Sequence, residues 1–176
     1  MTDAPTDLLL NQELLAHNLC ALLADLMLER RFNLATAESC TGGMIAAACT
    51  DLAGSSAWFE RGFVTYSNAA KTDMLGVDAA LIAQHGAVSE QVARAMAFGA
   101  IRHSQAQVSV AVTGVAGPTG GSASKPVGMV WFGFSVAGTL TSERMCFDGD
   151  RASVRQATVR HAIGRLLALL KENSPW

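Results

Sequence analysis

Asn33-Leu34-Ala35-Thr36-Ala37-Glu38-Ser39-Cys40-Thr41-Gly42-Gly43-Met44-Ile45-Ala46-Ala47-Ala48-Cys49 is the stretch whose reading decides the fold. An apolar, strand-like run from Asn33 to Ala37 ends in a small polar turn, and the turn opens directly into an apolar run that reads as a helix. Strand, turn and helix in this order form the repeating unit of an α/β protein. A serine on such a turn stands at the sheet edge, where ligands of α/β proteins sit. The backbone N–H groups that begin the helix lack partners inside it, so they can hold a phosphate or a developing oxyanion. Gly42 and Gly43 let a ligand approach the backbone closely. A plainer reading also fits: Ser39 or Thr41 caps the helix and the glycines turn the chain.

Working outward, leucines from Leu8 to Leu26 and Met27 recur at helical spacing, so about 7–30 is an amphipathic helix that ends on Glu29-Arg30-Arg31. Beyond the first strand (about 33–37) and its helix (43–52), Gly54-Ser55-Ser56 makes a turn. Trp58 to Tyr66 is aromatic and β-branched and reads as a second strand, followed by a short helix containing Lys71. Asp78 and Ser89 cap two further helices, about 79–84 and from 90 on. Val108 to Val112 reads as a buried strand running into a glycine-rich loop, Gly114 to Gly121. Val127–Val136 and Leu140–Phe147 flank Ala137-Gly138-Thr139 as a hairpin, and the last helix covers about 151–172. Strands alternating with helices imply a sheet covered on both faces: five strands, mostly parallel, with at least one antiparallel. No repeat or linker divides the chain, which is read as one domain over 1–176.

Composition narrows the function. Half of the 176 residues are hydrophobic, 16% are charged, and the net charge is −2. That balance favours a well-buried core and gives no electrostatic case for nucleic acid as a partner. No signal peptide or membrane span is legible, so the expectation is a soluble cytoplasmic protein. Cys20, Cys40, Cys49 and Cys146 show no metal-ligand spacing. Three of them lie in apolar segments and are expected to pack as reduced core thiols, with Cys40, beside Ser39, the exception. Neither a GxxxxGK[ST] loop nor GxGxxG is present, and no metal or cofactor site is expected.

Loops after parallel strands share one edge, so Ser39, Tyr66 with Lys71, and Thr113-Gly114 should converge. A serine becomes a nucleophile only beside a base, and a desolvated lysine can be that base. None of His85, His103 or His161 is placed to serve, and Cys40 lacks a nearby histidine. Arg151 and Arg155 occupy the first turns of the last helix, where the dipole disfavours cations, so they are read as facing an anion. Surface charge for Lys71 and packing for Tyr66 are the bland alternatives.

Several motifs occur in order: Ala37-Glu38-Ser39-Cys40-Thr41-Gly42-Gly43, Gly54-Ser55-Ser56, Gly62 to Asn68 through Lys71, Gly86-Ala87-Val88-Ser89, Thr113 to Pro118, Lys125 to Gly128, and Gly149-Asp150-Arg151. Together they resemble the CinA C-terminal domain family, whose stand-alone members include nicotinamide-nucleotide amidohydrolases. The resemblance covers about 30–172. It implies a three-layer α/β/α sandwich and hydrolysis of the carboxamide of nicotinamide mononucleotide, in recycling of nicotinamide nucleotides, without a metal. It also implies Ser39 as nucleophile, Lys71 as general base and Tyr66 as a helper of proton transfer or lysine positioning. Main-chain amides near Thr41, Gly42 and Gly43, or from the 113–114 turn, are then expected to hold the oxyanion. Ser56, Thr113, Gly114, Arg151 and Arg155 are then the expected substrate contacts. A non-catalytic nucleotide-binding module and a Ser-Lys hydrolase of another amide are the competing functions. Exposed apolar positions on the first helix and the hairpin favour a homodimer.

Overall fold

A computed structural model describes the backbone of residues 4–172 and the side chains from Leu14 to Glu172. The elements in order are α1 (Ala4–Arg30), β1 (Leu34–Glu38), α2 (Met44–Thr50), β2 (Phe59–Val64), α3 (Asn68–Leu75), α4 (Ala79–His85), α5 (Glu90–Arg102), β3 (Val108–Gly114), β4 (Met129–Val136), β5 (Thr139–Cys146) and α6 (Arg151–Glu172). Each of the expected strands and helices is present, with ends displaced by a few residues. The one addition is a single 3₁₀ turn, Ser55–Ala57, just before β2.

The sheet order is β2-β1-β3-β4-β5. β1 pairs in parallel with β2 and β3, while β3–β4 and β4–β5 are antiparallel. Two sign changes return β5 to the direction of β1, so only β4 runs against the rest. β1 and β3 consist mostly of small and β-branched residues and are buried along nearly all their length, as strands covered on both faces must be. One core joins α1, α2 and α6 to one face through Met27, Ile45, Phe132, Val154 and Leu166. The other packs α3, α4 and α5 on the opposite face through Leu75, Ile82, Val92 and Met96. Together they make the expected α/β/α sandwich.

Close packing on the second face depends on missing side chains. A Cβ on Gly133 of β4 would lie 2.3 Å from the Ala93 carbonyl of α5. On α1, Cys20, Leu23 and Met27 are buried, but Leu14, Leu15, Leu22 and Leu28 are exposed. The apolar stripe is therefore wider than the face the sandwich covers; Leu8 to Leu10 lie outside the described side chains. The cysteines correct the composition reading. Cys40 is buried with Cys20 and Cys49, and Cys146, on the edge strand β5, is the exposed one.

Chain direction decides where a site can form. The β1 chain leaves for β2 through α2 on one face, and β2 leads to β3 through α3, α4 and α5 on the other. The path reverses at β1, so the loops that leave the paired C-terminal ends of β1 and β3 part at this edge, where α/β proteins place ligands. Ser39 follows β1 at that point.

Candidate active site

The serine turn is organised by Glu38. This carboxylate is wholly buried. It accepts from Thr36 Oγ1 at 3.2 Å, Thr41 Oγ1 at 2.7 Å, and the amides of Gly43 at 3.1 Å, Ile45 at 3.0 Å and Ala46 at 2.8 Å. Neither Ser39 nor Thr41 caps α2. Its N-cap, Gly43, has φ 100° and no side-chain bond, and the strand supplies the capping anion instead. The first-turn amides offered by the sequence to a phosphate or oxyanion are thus taken by the chain's own carboxylate. Gly42, with φ 61°, bends the turn back so that its amide reaches the Ser39 carbonyl at 3.1 Å. Met44 N reaches Thr41 O at 3.4 Å, and Ser39 N reaches Val112 O on β3 at 3.1 Å. From residue 39 to 46, only the amides of Cys40 and Thr41 find no acceptor in another residue. Both residues are buried.

With the capping role filled, the Ser39 hydroxyl is free for another partner. Lys71 Nζ lies 3.1 Å from Ser39 Oγ. Ser67, at the N-cap of α3, accepts from Ala70 N and fixes the first turn that carries Lys71 inward. The lysine is 1% exposed. Its Nζ donates to Thr65 O at 2.8 Å and lies 3.5 Å from Ser67 O. No carboxylate is paired with it among the described residues. Burial holds its pKa below the ordinary 10.5, and only a charge on the Cys40 thiol opposes this. Burial also pushes the Cys40 thiol up to about 11, so it is neutral near pH 7 and offers Lys71 no compensation. A neutral amine has two hydrogens and one lone pair. With the hydrogens on the Thr65 and Ser67 carbonyls, the lone pair faces Ser39 Oγ.

Tyr66 stands between those two carbonyls in sequence, yet its side chain turns outward. It is 61% exposed, and its hydroxyl accepts from Arg151 at 2.8 Å. The main chain on either side of Tyr66, not its phenol, positions the lysine. Arg151 also donates to Gly117 O at 2.9 Å. Arg151 lines a groove of about 580 Å³ between the β3–β4 loop and the start of α6, with Ala116, Pro118, Val127, Asp150 and Arg155 among its other walls. Arg155 gives Nε to Cys40 O at 3.1 Å and another nitrogen to Thr41 O at 2.8 Å, which joins the groove to the serine turn. Thr113, buried at the end of β3, donates to Ala87 O at 2.8 Å and ties the segment before α5 to the same edge. Gly114 admits Met129 O, which a Cβ would meet at 2.7 Å. Ser56 is not brought here. It precedes β2, whose first residue Phe59 pairs with Leu34, so it lies at the opposite edge of the sheet.

Sequence reasoning placed Ser39 and Lys71 but missed Glu38. The available signal was an acidic residue at the end of a strand of small residues, where burial leaves a carboxylate only nearby amides and hydroxyls to satisfy it.

The CinA C-terminal domain model matches residues 16–170 of this chain. The chain belongs to the CinA C-terminal domain family. Among relatives of this CinA domain, nicotinamide-nucleotide amidohydrolase PncC of Escherichia coli K12 is 54% identical over 140 residues, spanning 79% of this chain and 85% of that protein. PncC of Pseudomonas putida is 57% identical over 142 residues, 80% of this chain and 89% of that one. Among solved structures, a competence damage-inducible protein A from Klebsiella pneumoniae superposes with a TM-score of 0.87 at 40% identity, covering 90% of this chain and 99% of that one. A competence/damage inducible protein from Agrobacterium tumefaciens gives 0.84 at 47% identity, covering 88% and 95%.

Proposed function

We propose that this CinA-family chain is a nicotinamide-nucleotide amidohydrolase, converting nicotinamide mononucleotide and water to nicotinate mononucleotide and ammonia. The relatives named PncC support the reaction. The observation that carries the chemistry is the buried, carboxylate-free Lys71 at 3.1 Å from Ser39 Oγ. Neutral Lys71 takes the hydroxyl proton as Ser39 Oγ bonds to the carboxamide carbon. The oxygen of that carbonyl becomes an anion held by main-chain amides of the turn. Lys71 then gives its proton to the departing nitrogen, the C–N bond breaks, and ammonia leaves an ester on Ser39. Water attacks this ester while Lys71 takes a proton from it. Collapse breaks the C–Oγ bond, returns the proton to Ser39 and releases the carboxylic acid, whose own proton passes to solvent or to the ammonia to leave the carboxylate. Arg151, steadied by Tyr66 and Gly117, is assigned to the substrate phosphate in the adjoining groove. Its remaining N–H groups suit a doubly charged anion.

No described helix is long and apolar enough to cross a membrane. The chain is read as a cytoplasmic homodimer on its four unpaired cysteines and the exposed leucines of α1, and light scattering of the purified protein tests the dimer.

The deciding experiment mixes the protein with nicotinamide mononucleotide in EDTA and follows both products. Equal release of ammonia and nicotinate mononucleotide, lost in Ser39→Ala, is expected. Wild-type turnover by Ser39→Ala would refute the nucleophile. Saturable binding without turnover by the wild type would move the reading to a nucleotide-binding module.

A further inference from the structure

Arg155 is half-buried, and neither of its partners is an anion: its two bonds go to the consecutive carbonyls of Cys40 and Thr41. A trans peptide holds its N–H opposite its C=O. The bond to Cys40 O therefore fixes the Cys40–Thr41 peptide and turns the Thr41 N–H away from Arg155. The bond to Thr41 O fixes the next peptide, whose N–H is committed to Ser39 O. What remains is the pair of amides that follow the nucleophile, those of the buried residues Cys40 and Thr41, without an acceptor in another residue. Buried donors left open in this way mark the place of a ligand. The amide after a nucleophile on a strand-to-helix turn is well placed to meet the oxyanion.

We propose that Arg155 is a positioning residue of the oxyanion hole: it orients and polarises the Thr41 N–H, which receives the tetrahedral oxygen together with the Cys40 N–H. The role rests on acyl transfer through Ser39. It differs from binding the phosphate, which Arg155's place at the start of α6 first suggests. Glu38 makes the division possible. By occupying the Gly43, Ile45 and Ala46 amides, it leaves this pair as the donors from residue 39 to 46 without an acceptor in another residue.

The test compares Arg155→Lys and Arg155→Ala with the wild type in two assays. Steady-state kinetics on nicotinamide mononucleotide separates kcat from KM. Labelling of Ser39 by diisopropyl fluorophosphate, followed by mass spectrometry, needs the same oxyanion donors but no nucleotide. Loss of one oxyanion donor lowers kcat by about 10²–10³. A fall approaching that in kcat and in labelling rate, with KM moved less than about threefold, is expected for Ala, with a smaller fall for Lys. Partial return of Arg155→Ala activity with added methylguanidinium is the matching rescue. If Arg155→Ala does not fold, Arg155→Lys carries the comparison, because a single nitrogen cannot reproduce the planar two-nitrogen fork that holds the Cys40 and Thr41 carbonyls. A raised KM with kcat and labelling unchanged would overturn the proposal and make Arg155 a phosphate ligand. A wild type that labels at Ser39 but leaves the nucleotide intact would end the deamidase reading alone. The labelling ratio would then still decide Arg155, and a wild type with no labelling at Ser39 would overturn it.

Discussion

Replacing Glu38 by glutamine exchanges one carboxylate oxygen of a wholly buried group for an NH2, and the structure says how much that should cost. Oε2 accepts from Thr41 Oγ1, Gly43 N and Ile45 N, whereas Oε1 accepts from Ala46 N and Thr36 Oγ1. The amide therefore sets its carbonyl at Oε2 and its NH2 at Oε1. Thr36 can rotate to accept, but the Ala46 amide, at 2.8 Å in the wild type, then faces a second donor. Losing one charge-assisted bond costs about 1.5–3 kcal/mol, and losing the anion at the start of α2 costs about 0.3–1 kcal/mol more, higher when buried. The sum is about 2–4 kcal/mol, or roughly 5–15 °C in melting temperature for a domain of this size. Urea unfolding monitored by circular dichroism measures it, with the m-value checked for constancy. Activity should fall as well, because Ser39 is the next residue. Glu38→Gln unfolding within about 0.5 kcal/mol of wild type, as ordinary surface changes do, would refute the claim that this carboxylate organises the turn.

Lys71→Met should abolish turnover while melting at or above the wild-type temperature at neutral pH. Its cause fixes the sign: the native pKa lies below the unfolded value of about 10.5, so the unfolded chain binds more protons between the two. Wild-type stability therefore rises with pH across that window, and below it the buried ammonium opposes folding in full. The same deprotonation should give wild-type kcat/KM an ascending limb below the ordinary lysine range, read from a pH–rate profile. Arg151→Ala should raise KM for the nucleotide by about 5–30-fold, the worth of an exposed charged contact of about 1–2 kcal/mol, with kcat nearly kept. Initial rates at varied substrate concentration decide it, and a pure kcat loss would count against the phosphate assignment. Gly133→Ala should cost about 1–3 kcal/mol or more as overpacking, since the new Cβ meets the Ala93 carbonyl at 2.3 Å; thermal melting detects it.

Much of the fold was legible because it rests on local signals. Asp78 and Ser89 cap their helices as their residue types announce, each accepting from an amide two or three residues on. The turn residues Ala137-Gly138-Thr139 likewise marked β4 and β5. The edge at which Ser39 and Lys71 meet followed from chain direction alone. What escaped depends on which atoms finally share space. Cys146 looked like a core thiol because its neighbours are apolar, but β5 is an edge strand and leaves it exposed. Tyr66 looked like the partner of Lys71, yet it turns to Arg151, 85 residues away. Ser56 sits in a motif that accompanies the site in sequence and lies at the other end of the sheet.

The serine turn shows why a helix start read from sequence is ambiguous. Its unpaired amides attract any anion, and sequence cannot say whether that anion is a ligand or the chain itself. Here a carboxylate from the preceding strand fills the first-turn amides, so those amides are structural. This has a chemical consequence. An internal anion holds the turn in shape before substrate arrives, and with five donors already on Glu38 its charge is not spent on the lysine beside the turn. Had Glu38 been free to reach Lys71, the ion pair would have raised the lysine pKa and removed the base. The same carboxylate that fixes the nucleophile's backbone thus keeps its own charge from the group that must act as a neutral amine.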